Sequence, residues 1–176
     1  MFGKILFVHV FFLCHASTML AATMKRFIVT TILTAVIAGV LTYFMPRDFE
    51  TFLPELEADA TVTIYCRQTN LDAVDMGGGF KVTCDANHYE KAAAECSGID
   101  GVSVSFEGAL DDVTELCKYF RLKVSSVYEQ DGLYVVCGKS SKIRNGVLDG
   151  GKVVNLQIAY KDGMIHLGSP LILGDY

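Results

Sequence analysis

The sequence predicts an α+β protein: an N-terminal transmembrane helix, then a small two-layer sandwich, mainly antiparallel sheet with two short helices on one face. Three observations predict it. The run Phe27 to Met45 holds nineteen residues without a charge. Short alternating or β-branched segments recur beyond residue 60, separated by glycine and aspartate turns. Two segments between them, near 85–96 and 109–120, carry apolar residues at helical rather than strand spacing.

Nineteen uncharged residues are long enough to cross the hydrocarbon core of a bilayer as one helix. Lys25-Arg26 at the start of the run belongs on the cytoplasmic side, which puts everything from Arg47 onward outside. The stretch before it, Ile5 to Thr23, is also apolar but is broken by His9 and His15. Two spanning helices joined only through Met24-Lys25-Arg26 would need too tight a hairpin. Residues 1–23 are therefore read either as a signal-like leader, with small residues at Ala21-Ala22, or as untranslated sequence ahead of a true start at Met24. The second reading is favoured, and makes residues 24–46 an uncleaved signal anchor, since the apolar run continues past the small residues Val36 and Ala38 to Phe44.

Charge divides unevenly. Residues 1–46 carry three cations and no acid, while the rest carries 12 basic and 20 acidic side chains. An acidic outer part lacks the basic footprint that nucleic acid requires, so nucleic acid is excluded as a partner. Residues 47–60, RDFETFLPELEADA, with five acids and one proline, read as a solvated juxtamembrane linker.

The folded domain is expected over 61–176. Thr61 to Arg67 and Phe80 to Cys84 are strands, joined through the turn Gly77-Gly78-Gly79. Asp85 or Asn87 caps a helix running through Cys96, with Tyr89, Ala92, Ala93 and Cys96 on its inner face. Gly98 and Gly101 lead into Val102 to Phe106, an alternation with one buried face. A second helix, Ala109 to Phe120, turns Leu110, Val113, Leu116, Cys117 and Phe120 inward. Leu122 to Glu129 and Leu133 to Cys137 form a hairpin about Gln130-Asp131-Gly132, and Val153 to Tyr160 pairs with Met164 to Leu167. The apolar tail, with Leu171 and Ile172, is expected to pack on the sheet.

The chemistry-bearing residues are few. Cys66, Cys84, Cys96, Cys117 and Cys137 sit at apolar positions of strands or helices and are odd in number. They read first as buried thiols, with disulfides the alternative that an oxidising exterior favours. No C-x-x-C pair is present, so neither a thioredoxin-type motif nor a common zinc knuckle is expected, and no metal or other cofactor is implied. Cys84 and His88 are the nearest approach to a nucleophile and base. Gly77-Gly78-Gly79 opens a strand rather than a helix and lacks the Lys-Ser or Lys-Thr of a phosphate loop.

The segment 138–152, GKSSKIRNGVLDGGK, is the one basic stretch; Lys139, Lys142, Arg144 and Lys152 are the candidate binding residues for an anionic group. The sequence thus points to a single-pass, membrane-anchored domain of the cell envelope that binds or assembles without catalysing. It is held in the membrane through residues 27–45, and its partner would be an envelope protein or an anionic envelope polymer. Self-association through the edge strands Thr61 to Cys66 or Met164 to Leu167 is a further expectation. A thiol-dependent envelope enzyme using Cys84 with His88 is the alternative.

Overall fold

The computed structural model describes residues 28–42, 45–55 and 59–172. The chain divides into two compact units, Met1–Met45 and Pro46–Tyr176. In the first, residues 28–42 are helical. Two of its threonine hydroxyls bond back to the helix, Thr34 Oγ1 donating to the Thr30 carbonyl at 2.8 Å and Thr42 Oγ1 to that of Ala38 at 2.7 Å. Among the described residues no helix is long and apolar enough to cross a membrane. The expected span also takes in Phe27, Tyr43 and Phe44, which lie outside the described residues, as do the leader 1–23 and Lys25-Arg26.

The second unit is α+β: mostly antiparallel sheet with a few short helices. Its strands are β1 (Thr61–Thr69), β2 (Val74–Asp75), β3 (Phe80–Asp85), β4 (Cys96–Glu107), β5 (Leu122–Gln130), β6 (Leu133–Ser140), β7 (Val147–Asp149), β8 (Lys152–Val154), β9 (Leu156–Lys161) and β10 (Met164–Ser169). Eight of them make one sheet in the order β2-β3-β1-β4-β10-β9-β6-β5, and β7 and β8 form a separate hairpin. The helices are α1 (Tyr89–Ala94), entered through a 3₁₀ turn at Ala86–His88, and α2 (Leu110–Tyr119).

Local chemistry explains the hairpins. Asp131 and Gly132 (φ 51° and 78°) join β5 to β6, and Asp162 and Gly163 (φ 50° and 84°) join β9 to β10. A two-residue turn with both φ positive matches the twist of the flanking strands, and Asp-Gly is among the few pairs that adopt it at low cost. Helix α2 is held at its start by Asp112, whose carboxylate accepts the Ala109 amide at 2.7 Å. Asp111 and Asp112 also lie where the helix dipole favours negative charge.

Several expectations are corrected. The first helix is one and a half turns long and ends before Cys96, which is instead the first residue of β4. β4 continues through Gly98 and Gly101, with a bulge at Asp100 between them, and Gly101 to Val104 are buried without alternation. The reason is position: β4 lies between β1 and β10. Its second face is covered too, for Ile172 packs at Gly168, the register partner of Ser103. That contact places the described part of the tail on the sheet, as expected. Leu110 does not turn inward; it is 46% exposed, leaving Val113 and Phe120 as the buried residues at that helix. Thr61 to Cys66 and Met164 to Leu167 are not edges, since β1 and β10 both have neighbours on either side. The edges are β2 and β5.

The largest departure is the linker. Phe49–Glu55 is a 3₁₀ helix, and Phe49, Phe52 and Leu53 are buried in the core at 2%, 0% and 4% exposure. They join a single apolar cluster with Val62, Ile64, Val102, Val104, Val113, Phe120, Ile158 and Leu167. Phe52 stacks edge-on against Tyr119 and Phe120 with ring centroids 6.4 and 5.3 Å away. The folded unit therefore begins at the connector, not at residue 61. Its acids had suggested solvation, yet they alternate with three apolar side chains that have a core to enter.

The connector is fixed by backbone as well. The Arg47 amide donates to the Lys142 carbonyl at 2.7 Å, and the Arg144 amide to the Arg47 carbonyl at 2.8 Å, a parallel bridge beside Ile143. Asn155 holds the receiving turn: buried, it accepts from the Ser140 amide at 2.6 Å and donates to the carbonyls of Ser140 and Ile143 at 3.0 and 2.8 Å. Two substitutions in the full chain test this arrangement by urea unfolding in detergent. Phe52→Ala should cost about 3–5 kcal/mol, where a solvated linker would give no change. Asn155→Ala should cost about 2–4 kcal/mol, because three buried backbone groups lose their partner.

Candidate functional site

The segment 138–152 is not one loop. It comprises the end of β6, the bridge to Arg47, and the hairpin β7–β8. The four candidate cations are accordingly divided between two places.

Lys142 and Arg144 face the connector. Lys142 Nζ lies 3.8 Å from the centre of the Tyr119 ring. Partial burial lowers its pKa first, and the cations Arg121 and Arg47 lower it further against the opposing pull of Glu55. Arg47 lies over Phe52 at 4.3 Å and pairs with Glu55 at 3.4 Å, while the Tyr119 hydroxyl donates to the same carboxylate. Arg144 donates to the Pro46 carbonyl and reaches Asp48 at 3.9 Å. Half-exposed pairs of this kind contribute about 0–1 kcal/mol each, and an exposed cation over an aromatic ring about 0.5–1 kcal/mol. Burying one phenylalanine contributes about 1.5–3 kcal/mol. Aromatic burial therefore holds the connector and the cations orient it.

Arg144 also lines a cleft of about 280 Å³ with Asp48, Glu50, Asp100, Asn145 and Ser169. Three carboxylates against one guanidinium make this a poor receptor for an anion. Asp100 is already engaged by Arg67 through two hydrogen bonds, at 3.1 and 3.2 Å.

Lys139 and Lys152 lie on the far side of β6 from the core. Lys139 stands directly opposite Lys123 in the β5–β6 register. Lys152 Nζ donates to the Ser125 carbonyl of β5 at 3.0 Å. Ser125 is the extra residue of a β-bulge between Val124 and Ser126. Lys123 was not singled out from the sequence, because only the strand register reveals its neighbour.

The five cysteines among the described residues are free thiols: Cys66 buried, the other four half-buried. In the strand register no cysteine stands directly opposite another. Cys66 faces Phe80 and Ile99, Cys84 faces Val62, Cys96 faces Thr69, and Cys137 faces Ser126 and Gln157. Burial pushes the Cys66 thiol up to about 11, helped by a hydrogen bond to Cys96. It likewise raises Cys84, Cys117 and Cys137, with Asp85 adding to the effect at Cys84. A thiol raised in this way is a weak nucleophile at neutral pH. His88 points its Nδ1 toward the Asp85 carboxylate, 3.7 Å away, with both side chains largely exposed.

His166 of β10 has a defined partner: His166 Nδ1 and Ser105 Oγ share a hydrogen bond of 2.7 Å. Burial lowers the His166 pKa, with Lys161 adding to it, so the ring is neutral at neutral pH. Among the described residues no group of His, Cys, Asp and Glu is disposed to hold a metal ion. Comparison with known protein families, curated proteins and solved structures finds no match.

Alkylation of the folded full chain, followed by intact mass, tests the thiol chemistry. At a pH near the ordinary thiol value Cys66 should stay unmodified, and Cys84, Cys117 and Cys137 should react more slowly than in urea. One thiol reacting faster folded than unfolded would contradict this account and revive the thiol enzyme.

Proposed function

We propose that this chain is a single-pass, membrane-anchored domain outside the cytoplasm that binds or assembles with another envelope component without catalysing a reaction. The observation that carries the reading is the uncharged run Phe27 to Met45 behind Lys25-Arg26. The helical part supports it. Ile28, Val29, Ile32, Leu33, Val36, Ile37, Val40 and Leu41 are each 50–64% exposed. At 3.6 residues per turn they cover roughly 220° of the helix, and the remaining arc carries threonine and alanine, so no side presents a charge to water and the surface suits an apolar medium. Threonine hydroxyls bonded back to carbonyls suit the same medium, where unpaired polar groups are costly.

In this reading the sheet carries its short helices as one layer on one face, and the domain follows the anchor almost at once. Partners meet the exposed strand β5 and the β7–β8 hairpin, where Val124, Val127, Tyr128 and Leu148 are 48–77% exposed. Large exposed apolar side chains collected on an edge favour association. Cys84 with His88 as a catalytic pair has only their nearness in sequence behind it.

A cysteine placed at the exposed residue Glu90 tests the topology in intact cells. The Glu90→Cys chain should react with a membrane-impermeant maleimide before lysis, and the parent chain only weakly. Labelling that appears only after the cells are broken would overturn the reading.

A further inference from the structure

The β5–β6 register sets two lysines directly opposite each other, and such like-charged pairs are destabilising by themselves. Lys123 and Lys139 take part in none of the ion pairs among the described residues. A third cation joins them. Ser125, whose carbonyl receives Lys152 Nζ at 3.0 Å, lies two residues along β5 from Lys123, a rise of roughly 7 Å. A carboxylate is placed nearby as well: Asp149 pairs in register with Lys152 and acts on Cys137 of the same face.

We propose that Lys123, Lys139 and Lys152 form a receptor for a phosphate group, and so name the ligand chemistry of the binding domain proposed above, on which this inference rests. Three ammonium groups present only donors, and each sits on a long flexible stem. Facing lysines have Cβ atoms about 5 Å apart, close enough for both heads to meet one anion. Three cations beside the Asp149 carboxylate leave a positive excess that the anionic oxygens of a phosphate monoester or diester oppose. The acidic cleft at Arg144 lacks that balance, which separates this patch from the other half of the basic segment. A lipid headgroup or a soluble phosphorylated molecule would supply the same group.

The full chain in non-ionic detergent tests the proposal in two arms. Calorimetric titration with inorganic phosphate against chloride, at constant ionic strength, reads the soluble group. Native mass spectrometry with added phosphatidylglycerol or phosphatidylcholine reads the lipid headgroup. The parent chain should bind phosphate, retain phosphatidylglycerol in preference to phosphatidylcholine, or both; which arm responds identifies the source. The double variant Lys123→Gln/Lys139→Gln should weaken that binding about tenfold or more. It should melt no lower than the parent, because a like-charged pair is removed. Lys91→Gln, on α1, should bind as the parent does.

Absence of binding in both arms overturns the site, as does equal binding by the double variant. Loss through Lys142→Gln/Arg144→Gln alone would also overturn it. The maleimide assay keeps the two proposals apart. An outward-facing domain that ignores phosphate refutes this site only, and an inward-facing one refutes the anchoring.

Discussion

The buried amide of Asn155 is the constraint on which the arrangement depends. It takes no part in a helix or long strand, yet it closes the turn after β6 by three hydrogen bonds. That turn offers the Lys142 carbonyl and the Arg144 amide to Arg47. Arg47 fixes the start of the connector, and the connector delivers Phe49, Phe52 and Leu53 into the core. Ser140 adds a second tie through its hydroxyl, which donates to the Phe120 carbonyl at 2.6 Å and so joins the turn to the end of α2. A buried polar network of this kind is stable only when every member is satisfied. Among the described residues no buried side-chain polar atom lacks a partner.

One consequence is a division of labour among the cations. Arg47, Lys142 and Arg144 are spent on aromatic rings, carboxylates and a carbonyl of the connector itself. Lys123, Lys139 and Lys152 gather elsewhere, around the β5–β6 pairing, and Lys123 and Lys139 enter none of the ion pairs among the described residues. An acidic protein thus carries one face with local positive charge, set by strand register rather than by composition. The bulge at Ser125 contributes, because it shifts β5 by a residue and brings its carbonyl to Lys152. Gly138 permits that shift, since a side chain there would collide with the Lys123 carbonyl.

Much of the fold was legible. Asp131-Gly132 and Asp162-Gly163 announced their hairpins, and the helical spacing of Val113, Leu116 and Phe120 announced α2. The antiparallel α+β class followed from them. Cys96 was misread because Ala92, Ala93 and Cys96 keep helical spacing past the point where β1 claims the chain through Thr69. Leu110 was misread because periodicity gives a face but not its extent. The linker was misread because its acids dominate composition while its three apolar residues decide burial.

By itself, the sequence determined the uncharged run, the turns, the approximate strands and the thiols at apolar positions. These are local properties, fixed by side-chain chemistry and spacing along the chain. Tertiary structure alone decided which strands are edges, where the folded unit begins, and which lysines are neighbours. Those depend on pairings between residues far apart in sequence: Arg47 with Ile143, Lys123 with Lys139, Ser105 with His166. Shifting a strand by one residue turns each of its side chains to the opposite face, and no local pattern records that choice.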